Sequence, residues 1–352
     1  MTETARLLDL PDMDGEAWYE FAEQHGWGDG LPMLVPTVEA VDAFLAGAGN
    51  HHEPFSAIPP AGIVPDIRSI AANAVMAGCK PSSFGVVVAA LRAVLTEEFN
   101  AVGVMATTHP CTPLVLVSGS ARATAGINSG YNCFGQGSRA NATIGRALHL
   151  VLVNLGGSVP GRLDRATHGS PAKYSYCFAE DEDACPWEPF AVRRGFDPGQ
   201  PVATVFAAEA PHNVNDHGST TGDEILLTIA GTMAVPGSNN IYLGGEHVVV
   251  LGPEHAATLA GDGWDVPRIQ DRLYELARVP AAMVSTGKQA EFSSKGAQHA
   301  DGHYRLAGGP QSIQIVVAGG SGKHSMWIPT FGSSRCVSSA IGRPEPEGEN
   351  HV

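Results

Sequence analysis

Residues 115–130 read VLVSGSARATAGINSG and residues 248–263 read VVVLGPEHAATLAGDG. Each opens on a short run of valine and leucine, turns at a glycine (Gly119, Gly252) and continues through an alanine-rich stretch. A brief apolar run bounded by turn residues suits a buried strand, and the stretch after it suits a helix. Aligned without gaps, Val115, Val117, Gly119, Ala123 and Gly130 coincide with Val248, Val250, Gly252, Ala256 and Gly263. Upstream, Met76-Ala77 falls on Met233-Ala234. Two such strand–helix units predict an α/β protein of two lobes with mixed sheets, related by an internal duplication about a pseudo-twofold, with a cleft between them.

The surrounding sequence supplies further elements. Trp18, Phe21 and Ala22 share one side of a short acidic helix, and Thr37 is placed to cap another over 38–46. Ile67, Ile70, Ala71, Ala74, Val75 and Ala77 recur at helical spacing and stop at Gly78. Pro81 opens a second apolar helix reaching Leu95, and Ser138 is placed to cap a third that runs to Asn154. Strands are expected at 101–106, 113–117, 202–207, 248–251 and 313–318, and helices at 224–233, 254–260 and 266–277. These readings divide the chain into an N-terminal module (1–66), a first α/β lobe (67–157), an irregular inter-lobe segment (158–223), a second α/β lobe (224–342) and a mobile acidic tail (343–352).

Composition narrows the function. The 352 residues carry a net charge of −15, which argues against a nucleic-acid binder that must neutralise phosphates. Hydrophobic residues make up 43% and charged residues only 16%, a balance that predicts a large core and self-association as a homo-oligomer. Six cysteines without a C-x-x-C pair disfavour a disulfide framework or a cysteine zinc site. No apolar run is long enough for a membrane span and no signal pattern opens the chain, so a cytoplasmic protein is expected.

Two glycine-rich turns are the candidates for chemistry. The first, Asn128-Ser129-Gly130-Tyr131-Asn132-Cys133-Phe134-Gly135-Gln136-Gly137-Ser138-Arg139, leads into a helix, where backbone N–H groups and the dipole favour an anion. Asn128, Asn132 and Asn141 are candidate substrate contacts. Arg139 and Arg146, on one face of that helix, suit a carboxylate or phosphate. Gly135, Gly137 and Ala140 fit G-x-G-x-x-A, but no hydrophobic strand precedes them and no acidic residue follows at the right distance, so no dinucleotide is expected. The second turn, Gly319-Gly320-Ser321-Gly322-Lys323-His324-Ser325, follows a strand, where open α/β sheets place ligands. It is not a Walker loop, since His324 stands where a magnesium-binding Ser or Thr belongs. Gly320 and Gly322 would offer backbone donors, Lys323 a point charge and His324 a proton. Cys133, ahead of a helix that carries Arg139, is the candidate nucleophile or thiol contact. For a metal, His212 and His217 with Asp216, or His299 and His303 with Asp301, are the candidate ligands. No G-x-S-x-G elbow is present.

Five phrases in order, GWGDGLPMLVPT (26–37), AANAVMAGCKP (71–81), RANATIGRALHLVLVN (139–154), CPWEPF (185–190) and VVAGGSGKHS (316–325), resemble a widespread bacterial family in which the first usually reads TDGLPVVPPT. Here Gly28 stands for the usual Thr, and Leu34-Val35 for the usual Val-Pro. Members accompany, or are fused to, UGSC-type (seleno)proteins, themselves similar to the selenoprotein B component of glycine and betaine reductases. The resemblance implies an enzyme or an enzyme's partner and carries over no catalytic residue. The expected function is a small-molecule enzyme acting on an anionic metabolite, by lyase or hydrolase chemistry first and thiol redox chemistry second. The alternative is a non-catalytic subunit or binding module of a UGSC-type reductase system. The two turns are expected to converge on one pocket.

Overall fold

A computed structural model describes residues 13–49, 51 and 54–342, together with the backbone of residues 3 and 4; the tail at 343–352 lies outside the described residues. Strand-forming runs rich in valine, leucine and phenylalanine build two four-stranded mixed sheets. The first holds β1 (Thr112–Ser118), β2 (Cys177–Ala179), β3 (Val202–Ala208) and β8 (Val337–Ala340), in the order β8-β3-β1-β2. The second holds β4 (His212–Asn215), β5 (His247–Leu251), β6 (Ile313–Val317) and β7 (His324–Pro329), in the order β6-β5-β7-β4. In each sheet one parallel pair (β1 with β2, β5 with β6) adjoins antiparallel pairs (β1 with β3 and β3 with β8; β5 with β7 and β7 with β4). The fold is therefore α/β with mixed sheets.

Side-chain alternation sorts each strand between two faces. Leu114, Leu116, Phe178 and Phe206 of the first sheet meet Val248, Val250, Val316 and Ile328 of the second in one core between the sheets. The opposite faces carry Val115, Val117, Ala203 and Val205 in one lobe and Val249, Leu251, Ile315 and Trp327 in the other, and helices cover them. Four layers result: helices, sheet, sheet, helices.

The two lobes repeat one plan. Helix α1 (Phe84–Val94) covers β3 and β8, while α4 (Gly222–Met233) covers β7 and β4. A short helix follows each, Ala101–Ala106 and Asn240–Leu243, and then the central strands β1 and β5. Helices α2 (Ala121–Ala125) and α5 (Pro253–Gly261) come directly after those strands. Next are α3 (Arg139–Asn154), laid on β1 and β2, and α6 (Val266–Leu276), laid on β6. The fourth strand of each plan crosses over: β4 completes the second sheet and β8 the first.

Several expectations change. Residues 101–106 form a helix rather than a strand, because Asn100 caps it through Gly103 N–H (3.1 Å) and Ala101, Val104 and Met105 are buried at i, i+3 and i+4. The segment 158–223 holds the strand expected at 202–207, which is β3, and two more, β2 and β4. The gapless alignment of the two strands is one residue out of register. Val115 and Val117 face the helices whereas Val248 and Val250 face the other sheet, so Leu114 and Leu116 are their true counterparts. Met76-Ala77 ends helix Ile67–Ala77, which packs on α3, while the counterpart of α4 is α1. No described helix is long and apolar enough to cross a membrane.

Candidate functional site

The rim of the inter-sheet core opens into a cavity of about 410 Å³. Tyr131, Asn132, Cys133, Phe134 and Gly135 line one side, and Ala318, Gly319, Gly320, Ser321, Gly322, His324 and Ser325 the other, with Val250, Gly252 and Met326 at the floor. The two turns thus meet, although nearly two hundred residues separate them. Gly320 permits the approach: a Cβ there would fall 2.0 Å from the Tyr131 ring. Gly322 has φ +139, which only glycine adopts without strain.

The repeated plan shows what stands at the matching strand end of the first lobe. Ala179 pairs with Val117, and Val317 pairs with Leu251, so Glu180-Asp181-Glu182 of the first lobe match Ala318-Gly319-Gly320 of the second. In the first lobe the carboxylates fold back onto the strand ends. Glu182 accepts from Gly119 N–H at 2.6 Å and pairs with Arg122 at 3.3 Å, while Glu180 accepts from Phe190 N–H at 2.8 Å. In the second lobe those side chains are missing.

Fixed polar groups surround the mouth. His324 and Asn213 come from the neighbouring strands β7 and β4, and His324 Nδ1 lies 2.9 Å from Asn213 Oδ1. A carboxamide oxygen only accepts, so Nδ1 carries the proton and Nε2 presents its lone pair. That Nε2 lies 3.2 Å from Nε2 of His217, in the loop after β4. The loop is held by Asp216, which accepts from Ser219 N–H (2.9 Å), Ser219 Oγ (2.7 Å) and Thr228 Oγ1 (2.6 Å). Burial pushes the Asp216 carboxyl up, but these hydrogen bonds outweigh it and hold the group below the usual range. Behind the wall, buried His255 bridges Ser325 Oγ (2.8 Å) and Asp216 O (3.1 Å), and burial keeps its pKa low.

The expected residues divide clearly. Asn132, Cys133, Gly320, Gly322 and His324 line the cavity. Cys133 is buried, and burial pushes its thiol up to about 11, so it stays protonated near neutrality and does not suit a thiolate nucleophile. Lys323 turns away from the lining, with Nζ 3.5 Å from Ser219 O. Asn128 is absorbed locally, accepting from Gly130 N–H and donating to Tyr131 O, both at 2.9 Å. Buried Asn141 positions the turn: it accepts from Asn128 N–H (2.8 Å) and donates to Asn128 O (2.9 Å) and Cys133 O (3.0 Å). The arginines are used elsewhere. Arg139 Nε donates to Gly78 O at 2.8 Å, and Arg146 grips Asp29 by two bonds (2.7 and 2.9 Å) and also reaches Leu31 O and Pro32 O (both 3.0 Å). Neither guanidinium lines the cavity, because each satisfies backbone or carboxylate acceptors of the preceding elements.

His212 and His217 do not pair. His212 packs edge-on against Trp327 (centroids 6.4 Å apart) on the helix side, one residue out of phase with Asn213. His303 binds the Asp301 carbonyl at 2.8 Å, and His299 lies against Tyr304. Among the described residues no three His, Cys, Asp or Glu side chains converge as a metal cluster. Asn213 and His255 escaped the sequence reading. For Asn213 a signal existed: in HNVN only Val214 is apolar, so alternation in a strand puts Asn213 on the face opposite His212 and Val214. The chain matches no protein-family model and no curated protein.

Proposed function

We propose that this cavity is the reaction site of a small-molecule enzyme acting on an anionic metabolite, by lyase or hydrolase chemistry. The observation that carries the reading is the meeting of the 131–135 and 319–325 turns around an open space, at a strand end where the other lobe carries Glu180 and Glu182. A substrate acid group would lie against the glycine backbone of the second turn. His324, fixed by Asn213 with Nε2 facing His217, is the group placed to handle a proton. Lys323, next to it in the chain, offsets part of the net −15 that would otherwise repel an anion. Thiol redox chemistry fits less well, because Cys133 is held protonated.

The test is substrate loss, followed by mass spectrometry, with purified protein and a panel of carboxylate and phosphate metabolites. His324→Gln should slow turnover by about 10²–10⁴-fold with the fold intact. If no panel member is consumed, and none shifts the melting temperature, the reading fails.

A second reading, a partner-dependent subunit of a UGSC-type reductase system, is favoured by an exposed apolar run. Leu31, Leu34 and Val38 are 40%, 57% and 56% exposed, within and just after the first phrase of the family resemblance. Turnover that needs an added UGSC-type protein would select it. A homo-oligomer and a cytoplasmic setting belong to the same proposal, and light scattering tests the former.

A further inference from the structure

We infer that His217 and His324 chelate a divalent transition-metal cation between their Nε2 atoms, at the mouth of the cavity. The separation fits. Two nitrogens each about 2.05 Å from a tetrahedral ion lie about 3.3 Å apart, and these lie 3.2 Å apart. The ring orientation fits as well. A straight N–H···N hydrogen bond at this distance would hold the ring centroids about 5.5 Å apart. They are 5.0 Å apart with planes at 80°, so the contact is bent rather than straight, as the contact between two ligands of one tetrahedral ion would be.

The supporting shell is that of a ligand pair. A histidine that binds metal through one nitrogen characteristically donates the other N–H to a carbonyl or carboxylate oxygen, which fixes its tautomer. Asn213 Oδ1 does this for His324. His217 sits on a loop that Asp216 ties to Ser219, Thr228 and His255. That lowers the cost of bringing two exposed imidazoles together.

Paired imidazoles select zinc, nickel or copper over magnesium or calcium, whose ligands are oxygens. With two protein ligands the ion keeps open positions for water and for a substrate carboxylate. It would then polarise the substrate or supply an activated water, and in the metal-bound protein that water would take over the proton role of His324 in the metal-free chain. That use rests on the cavity being the reaction site; the binding itself does not.

Untagged, EDTA-stripped protein is titrated with Zn²⁺ by calorimetry and with Cu²⁺ by electron paramagnetic resonance. One ion per chain is expected, and the Cu²⁺ spectrum should carry hyperfine structure from two imidazole nitrogens. His217→Ala and His324→Ala should each weaken Zn²⁺ binding by at least about tenfold. His212→Ala should leave it unchanged. Absence of binding by the wild type, or binding that survives both substitutions, overturns the inference. Metabolite turnover by the stripped protein would leave the enzymatic reading standing while removing the metal from it. Metal binding with no metabolite consumed would do the reverse.

Discussion

Glu180 leaves β2 at its carboxyl end and is fully enclosed. Burial pushes its carboxyl up from 4.5 to about 7, and the Phe190 N–H, the Arg193 charge and the Ser118 hydroxyl offset only part of that rise. The folded chain therefore keeps a proton that the unfolded chain gives up between those two values. Stability from this group is full below about pH 4.5, falls as pH rises, and levels off above about 7. Glu180→Gln should remove that slope, a difference of at most about 3 kcal/mol at pH 8. Urea unfolding of wild type and variant at pH 5 and pH 8 is the measurement. His149 and His247, held neutral by burial with values near 4, tilt the wild-type curve the other way, but they cancel in the comparison. Equal slopes in the two proteins would refute the assignment. None of this was legible in CFAEDED, where four acids stand in a row with nothing to tell them apart. Which of them turns inward depends on strand phase and on the Phe190 N–H, ten positions later. The same limit misled the reading of Arg146. A helix face shows where a guanidinium starts, whereas its partner Asp29 is 117 positions away.

Helix α3 shows how an element delivers a turn to a site. Ser138 caps it, accepting from Asn141 N–H at 3.3 Å, and Ser138 Oγ also donates to Asn141 Oδ1 at 2.7 Å. Asn141 then ties down the turn at both Asn128 and Cys133, so the first residues of the helix fix the wall of the cavity. Ser138→Ala should cost about 1 kcal/mol, the ordinary worth of a helix cap. Asn141→Ala leaves the buried Cys133 carbonyl and the half-buried Asn128 N–H without this partner, and should cost more, about 2–4 kcal/mol. Thermal melts rank the two, and an Asn141→Ala cost below that of Ser138→Ala would mean the turn holds without it. The helix, its cap and its end at Asn154 were all readable from periodicity and cap chemistry, because both are local. The helix at 101–106 was misread for the opposite reason. AVGVMA is too short for a period to show, and its cap, Asn100, adopts a left-handed φ of 56 that composition does not announce.

The duplication was visible as a faint echo between two strands, and it located the matching sheet positions while missing the register and the helix correspondence. Apolar residues fill both faces of a buried strand, so a shift of one residue leaves the pattern almost unchanged. Nothing in the sequence signals the exchange of β4 and β8, since it depends on which sheet each strand joins. That exchange has a mechanical consequence. Residues 13–218 hold β1, β2 and β3, but their fourth strand, β8, comes from the other half, and their own β4 belongs to the second sheet. Residues 219–342 lack β4 in the same way. Each half alone would expose an unpaired strand edge as well as the inner sheet face that carries Leu114, Leu116 and Phe206, or Val248, Val250 and Ile328. Neither half should fold cooperatively by itself, and each should aggregate when expressed alone. Co-expressed with the chain cut after Gly218, the halves should co-purify as a one-to-one complex with the circular dichroism of the intact chain. A separate monomeric half with a sharp thermal transition would show that each sheet closes its own core. The crossed strands would then be a late ornament on two independent lobes, and the cavity could form in the second lobe only if the 131–135 turn of the first docked onto it.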